Sequence, residues 1–208
     1  NERGVSCAEC HMPYKSDGGV KFTDHKIQSP LNNISNSCQV CHRESEDNLR
    51  KNVYDRQDKV LELSDLATKS LVKVHIEAKT AWNNGATEEQ MKPILKLIRN
   101  AQWRWDFVAA SHGGSFHAPL ECARILGNAV QKSEEARMLL TSVLISLGVK
   151  VPVPIPDITT KEKAQVYIGL DIEELKRKKA EFLTNEVPVW DRVSEEKGNR
   201  VNYDMKNK

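Results

Sequence analysis

From residue 53 to residue 81 an apolar side chain returns at every seventh position: Val53, Val60, Ala67, Val74 and Ala81. Leu63, Leu71 and Ala78 fill neighbouring positions, and Lys, Glu, Asp and Arg take the rest. Positions spaced this way share one face of a helix, so the pattern predicts a long helix from near Glu44 with a single apolar stripe. Asn83-Asn84-Gly85 supplies its stop. A stripe of this length pairs with another helix, and the pattern fits equally a seam inside the chain or one across a dimer.

Thr87-Glu88-Glu89-Gln90 is a capping box that opens a second helix. Pro93 falls early in it, and it runs through Trp103-Arg104-Trp105-Asp106 to about Ser111. His112-Gly113-Gly114-Ser115-Phe116-His117 breaks it, two glycines allowing the backbone to approach something closely. Ala118-Pro119 starts a third helix that runs to about Leu147 and stops at Gly148. Val151-Pro152-Val153-Pro154-Ile155-Pro156 reads as a stiff extended connector. Asp157-Ile158-Thr159-Thr160 caps a short helix through Tyr167, and Asp171-Ile172-Glu173-Glu174 caps another that ends before Pro188. The polar tail from Arg192 is expected to fray. Residues 12–37 carry turn signals at Asp17-Gly18-Gly19 and Ser29-Pro30-Leu31-Asn32-Asn33 and read as loop without a strand. The expected fold is mainly α. A loop-rich segment, 1–48, precedes a helical segment, 49–208, the two together forming one part of a larger domain.

Composition narrows the classes. With 31 basic and 29 acidic residues the net charge is +2, which gives no whole-chain case for nucleic acid or an anionic membrane. No apolar run approaches the ~20 residues of a membrane-spanning helix. At 39% hydrophobic and 29% charged, the chain is lean in core material for its 208 residues. A large flat apolar cofactor would make up that shortfall.

The chemistry lies in the loop-rich segment. Cys7-Ala8-Glu9-Cys10-His11 and Cys38-Gln39-Val40-Cys41-His42 are both C-x-x-C-H, the attachment pattern of c-type haem. Two thiols a fixed short distance apart add to the two haem vinyl groups, and the His that follows binds the iron. Paired Cys-x-x-Cys is also the outline of a zinc ribbon. The gap between these pairs is longer than ribbon spacing, and a four-thiolate site has no need of either His, so haem is favoured. Cys122 is left over within a helical pattern and is expected to be a buried free thiol. His25, His75, His112 and His117 remain as candidate second axial ligands. His25 lies on the loop between the motifs, His117 on a rigid point between Gly-Gly and Pro119, and His112 competes with it. His75, mid-helix beside Val74, is better suited to a structural hydrogen bond. The first motif begins only at Cys7, so residue 1 reads as a cut site with any export signal upstream.

The order of these pieces resembles the later half of the ammonia-forming cytochrome c nitrite reductases, periplasmic pentahaem enzymes of the cytochrome c552 type. The stretches that carry the likeness are Gly4-Val5-Ser6 with the first motif and Met12-Pro13, Thr23-Asp24-His25-Lys26-Ile27, and Met91-Lys92-Pro93-Ile94. Further on come Ala101-Gln102-Trp103-Arg104-Trp105-Asp106, Ser111-His112-Gly113, His117-Ala118-Pro119, Ile155-Pro156-Asp157-Ile158 and Thr160-Lys161-Glu162-Lys163-Ala164-Gln165. The resemblance implies a multihaem fold in which Cys7, Cys10 and His11 hold a fourth haem and Cys38, Cys41 and His42 a fifth. It implies that His117 is the distal ligand of the fourth, and that His25 serves a second haem attached outside this chain.

The departure is equally informative. The family's catalytic haem sits on C-x-x-C-K, which this chain lacks, along with the family's active-site Arg, Tyr and His and its calcium ligands. No catalytic residue is therefore assigned here. The resemblance implies a six-electron reduction of nitrite to ammonium in nitrate assimilation, with two electron-relay haems in this chain and further haems and calcium in the N-terminal half. It implies a homodimer built largely on residues 49–82 and the later helices, a quinol-linked multihaem donor and a periplasmic location. The rival readings are a stand-alone dihaem electron carrier and, more weakly, a zinc-binding helical module.

Overall fold

The computed structural model describes residues 4–198. The expected cut site at residue 1 and the last ten residues of the polar tail lie outside them. Two compact units divide between Val153 and Pro154, inside the proline-rich connector.

The first unit opens with a single helical turn, α1 (Cys7–His11), then a hairpin of β1 (Tyr14–Asp17) and β2 (Val20–Thr23). The hairpin corrects the strand-free reading of residues 12–37. Gly18 and Gly19 both take positive φ, +53° and +81°, and so make a two-residue turn that pairs Asp17 with Val20 and Tyr14 with Thr23. The turn sets the register. Both strands are largely exposed and mixed in polarity, so no period-two apolar pattern announces them. Lys21 covers the Tyr14 ring at 4.3 Å from its centre. Short 3-10 turns follow at Pro30–Asn32 and Cys38–Val40.

Three long helices make the core: α2 (Glu46–Asn83), α3 (Glu88–Ala110) and α5 (Pro119–Ser146), with the one-turn α4 (Gly114–His117) between the last two. Their ends follow local chemistry. Ser45 Oγ accepts the Asn48 N–H, and Thr87 with Gln90 forms the expected capping box. At the end of α2 the Ala86 N–H reaches the Ala81 carbonyl and the Gly85 N–H that of Trp82, satisfying carbonyls the helix leaves free.

The α2 stripe is spent inside the chain. Val60, Ala67, Val74 and Ala81 are buried, with α2 packing mainly on α5. Leu126, Ala129, Ala136, Leu140 and Leu144 line the facing side of α5, and α3 adds Met91, Ile94, Ile98 and Ala101. Alanines at 67, 129 and 136 let the helices approach closely. Of the two packings the stripe left open, the structure shows the one inside the chain: Val60 and Val74 are core positions.

One polar clasp crosses this seam. Glu77, 6% exposed, receives the Arg137 guanidinium as a fork, Nε to Oε2 at 3.0 Å and Nη2 to Oε1 at 2.8 Å. Arg137 Nη1 also reaches Glu134 Oε2 at 2.9 Å, and Ser70 Oγ donates to Glu134 Oε1 at 2.9 Å.

The second unit holds α6 (Lys161–Tyr167), α7 (Ile172–Asn185) and α8 (Val187–Glu196). Thr160 and Asp171 cap the first two as the sequence predicts, accepting from Lys163 N–H and Glu174 N–H. α8 corrects the frayed tail: Pro188 stands in the first turn, where its missing N–H costs nothing, and the helix continues past Arg192 to Glu196. Phe182 and Trp190 meet edge-to-face at 5.1 Å and join α7 to α8.

Candidate functional site

Ser6 stands at the N-cap of α1, and its N–H donates to the Glu9 carboxylate. The single turn that follows puts Cys7 and Cys10 three residues apart, hence on one face, with His11 one residue further. Met12 caps the turn and Pro13 comes next, so the helix cannot continue. His11 Nδ1 lies 2.9 Å from the Gln28 carbonyl. A backbone carbonyl only accepts, so Nδ1 carries the proton and Nε2 keeps its lone pair free for a metal. The loop bearing Gln28 is tied down beside it, where Arg50 of α2 donates to the Leu31 carbonyl at 3.1 Å.

The His117 ring on α4 comes close to that of His11, with centres 6.1 Å apart and planes inclined by 38°. A metal–imidazole bond is about 2 Å, so two imidazoles opposed across one metal have ring centres about 6 Å apart. The observed 6.1 Å between ring centres matches that spacing. His112, its competitor in the sequence, lies before the Gly-Gly break, and it is the His117 ring that approaches His11. Phe116 meets His117 edge-to-face at 5.5 Å and is covered by Arg56 of α2 at 5.7 Å.

The second motif sits on the 3-10 turn Cys38–Val40, where the Cys38 carbonyl accepts from both Cys41 N–H and His42 N–H. Buried Ser37 anchors this turn, its hydroxyl reaching the Asn33 carbonyl at 2.6 Å and that of Pro30 at 3.1 Å. The His42 ring is exposed, with Nδ1 3.6 Å from a Glu44 carboxylate oxygen.

No disulfide joins any of the five cysteines. Burial pushes the Cys10 thiol up, and the charges of Cys38, Glu9, Cys41 and Cys7 push the same way, so the two motifs share one electrostatic neighbourhood. Among the described residues no group of three or more His, Cys, Asp or Glu side chains is placed to hold a metal ion.

His25 follows β2 and repeats the His11 device: its Nδ1 lies 2.7 Å from the Thr23 carbonyl, leaving Nε2 free on an exposed ring. Asp24 fixes the base of this presentation. It is buried, pairs with Lys15 at 2.6 Å and accepts the Lys26 N–H at 3.1 Å. Lys15 foremost, then the Lys26 N–H, hold its carboxyl below the usual range. His75 meets Gln102 of α3 at 3.4 Å, the structural use its mid-helix position suggested. Cys122 is buried at 4% exposure in the cluster of Val60, Ala67, Leu126 and Ala129, and burial raises its pKa.

Sequence reasoning missed Gln28 and Asp24, whereas Cys122 is the buried thiol its place in a helical pattern predicted. Only Asp24 left a signal, as an Asp two residues before a backbone N–H it can accept.

Two attachment motifs, each ending in a His, on a mainly α scaffold define a c-type cytochrome. The chain belongs to the cytochrome c552 family, whose model matches residues 1–200. It is 58% identical over 195 residues to a cytochrome c-552 of Parabacteroides distasonis, covering 94% of this chain and 40% of that protein. A cytochrome c-552 of Bacteroides fragilis is 60% identical over 189 residues, 91% of this chain and 38% of that protein. The chain thus spans about 40% of the length of these curated relatives. Among solved structures, the cytochrome c nitrite reductase of Desulfovibrio desulfuricans aligns with a TM-score of 0.61 and 27% identity, over 72% of this chain and 33% of that one.

Proposed function

We propose that this chain is the electron-relay portion of a multihaem cytochrome c nitrite reductase, a periplasmic enzyme that reduces nitrite to ammonium with six electrons. The observation that supports the reading is the His11–His117 pair, with ring centres 6.1 Å apart, in a chain whose Cys7 and Cys10 precede His11 at the spacing of thioether attachment. When bound, haem supplies an iron that cycles between ferric and ferrous states.

The protein's own groups do the rest. Cys7 with Cys10, and Cys38 with Cys41, form the covalent tethers. His11 and His42 are proximal ligands, and the Gln28 carbonyl fixes the tautomer of His11. His117 would hold the bound group from the side away from His11, and with both imidazoles engaged the first site would offer no position to substrate. The site passes charge and does no chemistry on nitrite. His25, with Nε2 free, serves a haem attached elsewhere in the enzyme.

Catalysis, calcium binding and the remaining haems belong to the N-terminal part of the longer protein, and a quinol-linked multihaem cytochrome delivers the electrons. Leu61, Trp103, Met138 and Ile145 stay exposed on the long helices and offer apolar surface for a homodimer in place of the buried stripe.

The test is the upstream coding sequence and the enzyme made from it. A C-x-x-C-K motif upstream and ammonium production by the full-length protein are expected. An upstream sequence without a Lys-ligated haem site overturns the reading in favour of a stand-alone dihaem carrier.

A further inference from the structure

We propose that Gly113 is a positioning residue for the distal imidazole: its missing side chain is the space in which the metal-facing edge of the His117 ring lies. The inference rests on His117 ligating the iron of the Cys7–Cys10 site. Gly113 takes φ +79° and starts the turn that carries His117, its carbonyl accepting the Phe116 and His117 N–H groups at 3.1 and 2.9 Å. A Cβ built on Gly113 would stand 3.2 Å from His117 Cδ2 and 3.7 Å from Nε2. These two atoms form the ring edge turned to the metal if Nε2 is the ligand. The hydrogen and branches of any side chain would press on that edge first.

The turn cannot retreat to make room. At the adjacent Gly114 a Cβ would already lie 3.0 Å from Ser111 Cβ and 3.3 Å from Cys122 Sγ. Cys122 belongs to the buried cluster with Val60, Ala67, Leu126 and Ala129. The backbone is therefore backed by the helical core on one side and by the ring on the other. The softer element is the imidazole, which can rotate about its own bonds. A side chain at 113 turns or displaces that ring against the iron.

Gly148 provides the control. It has a similar φ, +72°, and a Cβ there would meet nothing within 4 Å. Gly148→Ala carries the same backbone strain without a ring to press on. Asn tolerates left-handed backbone better than Ala, so Gly113→Asn relieves strain but keeps the Cβ against the ring.

The experiment compares Gly113→Ala, Gly113→Asn, Gly148→Ala and His117→Ala in haem-loaded protein. The readouts are the ferric low-spin electron paramagnetic resonance signal, carbon monoxide binding to the ferrous form and the reduction potential. All four variants retain covalent haem, since attachment uses Cys7 and Cys10. His117→Ala opens the iron and establishes the ligand. Both Gly113 variants shift the low-spin signal of that same haem or admit carbon monoxide to it, whereas Gly148→Ala leaves spectrum and potential unchanged. If Gly113→Asn matches the parent while Gly113→Ala does not, backbone strain alone is at work and the inference is overturned. If His117→Ala leaves the iron closed, the ligation reading itself fails and takes the inference with it.

Discussion

The clasp between Glu77 and Arg137 gives the strongest quantitative expectation for the scaffold. Glu77→Ala removes both arms of the guanidinium fork from a carboxylate that is 6% exposed. Taking one partner from a fully buried pair costs roughly 3–5 kcal/mol, because the other charge stays desolvated. Arg137 is better placed than that limit: its side chain is 26% exposed, and Glu134 remains at 2.9 Å. The expected loss is therefore smaller, about 2–3 kcal/mol. With a urea slope of roughly 2.5 kcal/mol/M, the midpoint falls by about 1 M. Urea unfolding of haem-loaded protein followed by far-ultraviolet circular dichroism reads this directly. Adding Arg137→Met removes the stranded charge, so the double variant loses less than the two single losses summed, by about 1 kcal/mol or more. A midpoint shift below about 0.2 M for Glu77→Ala, or strictly additive losses, refutes the reasoning.

Three other outcomes are expected. Val60→Lys and Val74→Lys place a charge in the helical seam, so each lowers the melting temperature of the chain itself; a variant that folds normally and only dissociates an oligomer contradicts the intrachain packing. The carboxyl of Asp24 is held below its ordinary value of 3.8 by Lys15 and the Lys26 N–H, so its contribution is present above that pH and is lost as pH falls through the lower folded value. The protection factor of the Lys26 amide, its exchange relative to an unstructured amide at the same pH, therefore falls on acidification, and Asp24→Asn removes this dependence; a parent protein whose Lys26 protection shows no such acid limb counts against the Asp24 anchor. The 208-residue chain alone, supplied with a reduced dye, produces no ammonium from nitrite, and sustained production would place a catalytic centre where none is assigned.

What was legible in the sequence was what local chemistry determines. Thr87, Thr160 and Asp171 announce helix starts because a cap acts within one turn. The seven-residue recurrence fixed the buried face of α2 but not its partner, since burial against α5 and burial against a second chain leave the same pattern. Glu77 could not be read as buried because Arg137, which neutralises it, is 60 residues away. The β1–β2 hairpin was hidden because its strands have no buried face to encode. α8 was hidden because a proline that ends one helix equally well begins the next. At the site, the cysteine motifs were plain. Choosing between His117 and His112 by geometry needed the fold to bring one ring to 6.1 Å from His11.

The most direct measurement is the intact mass of the chain after production with a c-type maturation system. Two covalent haems, one on Cys7 and Cys10 and one on Cys38 and Cys41, should raise the mass above that of the polypeptide by two haem masses. A polypeptide that leaves a competent maturation system at its bare mass, or with a single haem, contradicts the assignment.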